Sequence, residues 1–126
     1  MISVLKHYPG HGDVSGDSHI SLPVENADIQ QVTNVYLPPF QSGLEAGAPV
    51  VMTSHVAFPV LDGDVRPTTL SEPTINILRD NLKFDGIILT DSMSMGALAQ
   101  TGFGIPDLSV QAILAGVDML LIPSPQ

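Results

Sequence analysis

Apolar runs of strand length alternate with helix-spaced apolar positions along this chain. Ile2–Leu5, Pro49–Thr53 (P-V-V-M-T), Gly86–Thr90 (G-I-I-L-T) and Asp118–Ile122 (D-M-L-L-I) read as four strands. The third is continuously apolar, the pattern of a strand covered on both faces. After the first strand, residues 7–27 read as a long loop. Residues 28–46 are helical in parts, with Phe40, Leu44 and Ala48 at helical spacing, an interruption expected at Pro38-Pro39 and a stop at Gly47. A second long loop, 54–70, is marked by Pro59, Asp62-Gly63-Asp64 and Pro67. Ser71 suits an N-cap for a helix running to about Leu82, with Ile75, Leu78 and Leu82 on one face. A short Met-rich turn is expected at 93–99, and a helix near 107–115 that stops at Gly116.

The resulting βαβαβαβ order implies parallel strands joined by crossover helices, an α/β fold. The C-terminal strand ends carry Lys6-His7, Ser54-His55, Asp91-Ser92 and Ser124, so polar groups collect on one rim while strand interiors stay apolar. That is the layout of a (β/α) barrel face. Four strands do not close a barrel of eight, and the simplest account is a half-barrel. The rival is a small open doubly wound sheet, but the first loop, P-G-H-G, lacks the G-x-G-x-x-G spacing that usually marks one.

With 126 residues the chain has room for one domain, 1–126. It carries 13 acidic against 4 basic side chains, a formal charge of -9, which speaks against nucleic acid and against an anionic membrane surface. With no cysteine there is no disulfide framework or thiolate metal site. Charged residues make up only 13% and the mean hydropathy is +0.28, so part of the surface is expected to be buried against something else. No run approaches a membrane span, and no signal-peptide pattern is visible. The compartment stays open, with the cytoplasm favoured.

The densest chemistry lies in K-H-Y-P-G-H-G-D-V-S-G-D-S-H, residues 6–19, which gathers Lys6, His7, His11, Asp13, Asp17 and His19 at a strand-to-loop transition. Asp17 stands two residues from His19, and such a pair fixes the imidazole tautomer and can both give and take a proton near neutral pH. His7 and His11 have H-x-x-x-H spacing, but Pro9 and Gly10 between them break the helical turn a metal site would need; no metal is expected. Lys6 suits Schiff-base chemistry or, more simply, hydrogen bonding to a ligand. Asp91, at the end of the third strand, either serves chemistry in the rim or caps the turn that follows. Met93 and Met95 read as packing. Gly10, Gly12 and Gly16, with no evident apolar anchor, make the His19 loop a candidate lid.

Residues 6–19 resemble the K-H-[FY]-P-G-H-G-[DN]-x-x-x-D-S-H signature of the β-N-acetylglucosaminidase (β-N-acetylhexosaminidase) subgroup of glycoside hydrolase family 3. The likeness continues through L-P-V at 22–24, L-P-P-F at 37–40, V-M-T-S-H-V at 51–56, T-L-S at 69–71, F-D-G-I-I-L-T-D-S-M-S-M-G-A at 84–97 and A-G-V-D-M-L-L-I-P at 115–123. The resemblance implies a partial TIM-like barrel, the C-terminal half of the family's barrel domain. It implies retaining hydrolysis of terminal β-linked N-acetylglucosamine from cell-wall or chitin-derived saccharides, without a cofactor. It implies Asp91 as nucleophile, His19 as acid/base, Asp17 as the acid that orients His19, and Lys6 and His7 as sugar-binding residues. Val14 stands where the family commonly has Thr.

The family's N-terminal half-barrel has no counterpart here, which leaves two open edges. Three readings follow: a fragment of a β-N-acetylglucosaminidase, a chain that closes its barrel with a complementary half-barrel or a second copy, and an inactive truncated half-barrel acting only as an interaction module.

Overall fold

The computed structural model describes residues 1–11, 14 and 16–122; Gly12, Asp13 and Ser124 lie outside them. Four parallel strands form one open sheet in the order β1 (Val4–Tyr8), β2 (Val50–Thr53), β3 (Ile87–Ser92), β4 (Met119–Leu121). All four expected strands are present. The first is displaced toward the loop: it is Val4–Tyr8 rather than Ile2–Leu5, so Lys6 and His7 belong to the strand. It runs on because Tyr8 still pairs with Thr53 across a register slip.

The helix after β1 differs from expectation. α1 (Ile29–Gln31), a π-helical stretch (Val32–Tyr36) and α2 (Leu37–Glu45) follow without a break. Pro38 and Pro39 bring no N–H, and their rings would clash with carbonyls one turn back. The wider π turn, in which the Leu37 N–H reaches the Val32 carbonyl, sits just ahead of them and the helix passes on. Asp28 and Gln31 form a reciprocal capping box at the start. Gly47 follows the end with φ +89°, the left-handed conformation that favours glycine.

The loop after β2 contains α3 (Pro59–Asp62) and a 3₁₀ turn (Thr68–Leu70). Ser71 caps α4 (Glu72–Asn76), accepting from the Thr74 N–H, and the helix continues as a π stretch, Ile77–Asn81. α5 (Gly96–Ala99) and α6 (Ile105–Leu114) complete the chain before β4. Among the described residues no helix is long and apolar enough to cross a membrane.

The core lies on one face of the sheet. Val51 and Ile88 pack there at 0% exposure with Tyr8, Ile75, Leu78, Leu98 and Leu108. Tyr8 donates its hydroxyl to the Thr74 carbonyl at 2.9 Å, which satisfies the one polar atom it buries. The alternate face is partly open: Val4, Ile87 and Met119 are 39%, 40% and 50% exposed, while Val50, paired between Val4 and Ile87, is buried. At the N-terminal end of β3, Arg79 donates to the Phe84 and Gly86 carbonyls and to Asp118 Oδ2 at 2.6 Å, while Asp118 also accepts the Ile88 N–H.

Candidate active site

Two register slips fall where the chemistry lies. β1 goes from Leu5 to Tyr8 while β2 goes from Val51 to Thr53, and β3 goes from Leu89 to Ser92 while β4 goes from Met119 to Leu121. Each slip puts one extra residue on the site-bearing strand and re-aims its side chains. Lys6 and His7 occupy the first slip, Thr90 and Asp91 the second. The Thr90 hydroxyl accepts the Leu121 N–H and so holds the second slip together.

An open cleft of about 390 Å³ forms at this C-terminal rim, lined by Lys6, His7, His11, His19, Phe40 and Asp91, with Gly10, Ser18 and Met95. All the expected site residues but Asp17 line it, and Asp17 stands directly behind His19. A larger hollow of about 490 Å³ opens at the opposite end of the sheet, by Leu44, Pro49 and Phe84; no imidazole lines it.

Asp91 is mostly buried. Its Oδ1 accepts the Ser92 N–H at 2.7 Å, and its Oδ2 lies 3.4 Å from His7 Nε2. Burial lowers the pKa of His7, and Lys6, His11 and His19 push the same way; only Asp91 opposes them. The His7 ring is therefore neutral at neutral pH. His11 bonds Ser18 Oγ at 2.8 Å, with its ring 5.6 Å from that of His7. Among the described residues no three His, Cys, Asp or Glu side chains converge to hold a metal ion.

His19 stands on the exposed side. Asp17 Oδ1 accepts both its Nδ1–H at 2.8 Å and its backbone N–H at 2.9 Å. These two bonds lower the Asp17 pKa. The proton is thereby fixed on Nδ1, and Nε2 is left free. The turn is docked: the Gly96 and Ala97 N–H groups donate to the His19 and Ser18 carbonyls. A Cβ on Gly96 would lie 2.4 Å from the His19 oxygen, so this approach requires glycine. The loop has an apolar anchor that its sequence does not advertise, since Val14 packs on the cluster of Ala27, Val32, Val56 and Phe58.

Three features escape sequence reasoning. Phe40, placed by helical spacing in the core, also lines the cleft while meeting Tyr8 edge-on. Met95 lines it too, whereas Met93 is core packing as expected. His55 lies beneath the rim, fully buried, bonded to Thr69 and to the Ser92 carbonyl. Its V-M-T-S-H-V segment marks it as polar at a strand end, but both partners lie far along the chain.

The glycosyl hydrolase family 3 N-terminal domain matches the chain over residues 1–126. A β-hexosaminidase of Methylobacillus flagellatus is 34% identical over 97% of this chain, and one of Chromobacterium violaceum is 37% identical over 97%. The chain spans about a third of either relative, 34% of its length. Among solved structures, a glycoside hydrolase family 3 β-N-acetylglucosaminidase from Paenibacillus sp. str. FPU-7 superimposes with a TM-score of 0.91 at 36% identity, over 96% of this chain and 23% of that one. NagZ from Neisseria gonorrhoeae, solved in complex with N-trifluoroacetyl-D-glucosamine, gives 0.82 at 34% identity, over 97% of this chain and 34% of that one. By sequence and by fold, the chain belongs to the glycosyl hydrolase family 3 N-terminal domain family.

Proposed function

We propose that this chain carries the nucleophile and the acid/base of a retaining glycosidase that removes terminal β-linked N-acetylglucosamine from cell-wall or chitin-derived saccharides. The observation that carries the reading is that Asp91 and His19 line one open cleft, together with Lys6 and His7. The names of the relatives, β-hexosaminidase and β-N-acetylglucosaminidase, support the substrate class.

Retaining hydrolysis usually employs two carboxyl groups. Here the second is replaced by the His19–Asp17 pair. The Asp91 carboxylate attacks the anomeric carbon as the bond to the leaving oxygen breaks. Protonated His19, through Nε2–H, gives that oxygen its proton. Asp17, bonded to Nδ1, holds the ring and stabilises its charged form. In the second step, neutral His19 takes a proton from water, whose oxygen attacks the anomeric carbon and releases the Asp91 carboxylate. Lys6 and His7 bond the sugar's polar groups, and Phe40 and Met95 offer apolar surface beneath the ring.

The test is hydrolysis of a chromogenic β-N-acetylglucosaminide. Turnover abolished by Asp91→Ala and strongly reduced by His19→Ala supports the reading. The apolar side chains left exposed on the second sheet face, Val4, Ile87 and Met119, favour closure by a complementary half-barrel or a second copy. A monomeric mass with no turnover at any concentration points instead to an inactive half-barrel that serves as an interaction module.

A further inference from the structure

We infer that His55 is a positioning residue for Asp91, which it holds from beneath the rim through the Ser92 carbonyl. The inference rests on the reading of Asp91 as nucleophile. His55 does not line the cleft and is fully buried. Its Nε2 lies 2.9 Å from the Ser92 carbonyl, which can only accept, so Nε2 carries the proton. Burial keeps the ring neutral by lowering its pKa. Nδ1 is then an acceptor facing the Thr69 hydroxyl at 2.8 Å, whose single proton is shared between Nδ1 and the Ser54 carbonyl at 3.0 Å. Thr69 in turn accepts from the Thr53 hydroxyl at 2.8 Å, and the Thr69 N–H serves the Ser54 carbonyl. The hydroxyls of Thr53 and Thr69, the His55 ring and the Ser92 carbonyl thus form one buried hydrogen-bonded chain.

Ser92 is thus held at both backbone groups. Its carbonyl accepts from His55, and its N–H donates to Asp91 Oδ1 at 2.7 Å. This happens within the slip between Leu89 and Ser92, where the regular β3–β4 register is lost. An apolar side chain in place of His55 would fill the space but leave the Ser92 carbonyl and the Thr69 hydroxyl without this partner. A ring that donates to the backbone of Asp91's neighbour does more than pack: with the Met93 N–H, which donates to the Leu121 carbonyl, it holds the peptide on the far side of the residue whose N–H the carboxylate uses.

The His7 imidazole reports on Asp91, since the carboxylate 3.4 Å away raises its pKa against burial, Lys6, His11 and His19. We would titrate His7 by NMR in this chain, in Asp91→Asn, in His55→Leu, in His55→Gln, which keeps a donor near the Nε2 position, and in the double variant Asp91→Asn/His55→Leu. The expected result is a His7 pKa lowered by about half a pH unit in His55→Leu. It moves in the same direction as in Asp91→Asn, and His55→Gln restores it. In the Asp91→Asn background, His55→Leu has no further effect. A His7 pKa that ignores His55→Leu, or that moves as far when Asp91 is already Asn, overturns the inference. If His55→Leu does not fold, Thr69→Val against Thr69→Ser poses the same question with the same two outcomes. The readout needs no turnover. A chain without glycosidase activity that shows this pattern loses the proposed function and keeps the positioning role; an active chain without it loses the positioning role alone.

Discussion

The two walls of the cleft are held by different physics. The β3 wall, which bears Asp91, stands on the buried core and on the chain of hydroxyls and imidazole from Thr53 to Ser92. The loop wall, which bears His19, is exposed, and two backbone bonds to the start of α5 and the side chain of Val14 tie it down. A nucleophile must meet the anomeric carbon within tight limits of distance and angle. An acid/base that must serve a leaving group and then a water needs more latitude, and often reaches its final geometry only with substrate present. Under the proposed function, the core-backed wall carries the attacking group and the exposed wall carries the proton.

The largest effect is expected in the core. Leu78, fully buried behind β3, is expected to cost about 2–5 kcal/mol when cut to alanine. A urea titration of Leu78→Ala should show that loss, and an unchanged midpoint would mean the β3 wall does not depend on the packing behind it. On the loop wall, Gly96→Ala should displace the 17–20 turn by removing room for the His19 carbonyl. Turnover is expected to fall about 10²-fold with little change in thermal midpoint. A drop in stability with intact turnover would reverse the assignment of the two walls.

Arg79 fastens the far end of β3 to β4 through two carbonyls and Asp118. Arg79→Ala should lower stability by about 1.5–3 kcal/mol, the range for hydrogen bonds to a charged group. Arg79→Lys should rescue only part, because an ammonium cannot reproduce the planar fork.

The smallest effect separates the walls by pH. His55 is held neutral below its ordinary pKa of 6.5, so the unfolded chain binds the proton that the folded one resists. Its contribution is fully present above pH 6.5 and falls as the pH drops below that value. The Asp17 pKa is lowered from 3.8 instead, so the bond to His19 outlasts that loss and goes only as the pH falls through the lowered value. Thermal midpoints across mild acid should decline in the native chain and decline less in His55→Gln. His7, also lowered by burial, keeps a residual slope in both.

Much of this was legible in the residues. Strands rest on short apolar runs, and all four runs form strands because their inner faces bury the same core. Their ends were less legible: β1 extends through Lys6 and His7 because its pairing survives a register slip, and no local pattern encodes a slip. The unbroken helix through Pro38-Pro39 depends on a π turn set by geometry rather than by composition. The density of imidazoles and carboxylates at 6–19 pointed to the rim, and Asp91 lies there as the order of strands implied. His55 was visible only as a polar residue near a strand end, because its partners Thr69 and Ser92 are brought to it by packing. Phe40 likewise serves core and cleft at once, and periodicity reports only the first.

Whether Asp91 and His19 act on one sugar in this cleft is decided by covalent trapping. The chain would be incubated with a slow fluorinated N-acetylglucosaminide that accumulates the glycosyl-enzyme, followed by intact mass and peptide mapping. One added sugar is expected on the peptide containing Asp91, formed with this chain and not with Asp91→Asn. Turnover with no label at Asp91, or a label on another carboxylate, would contradict it.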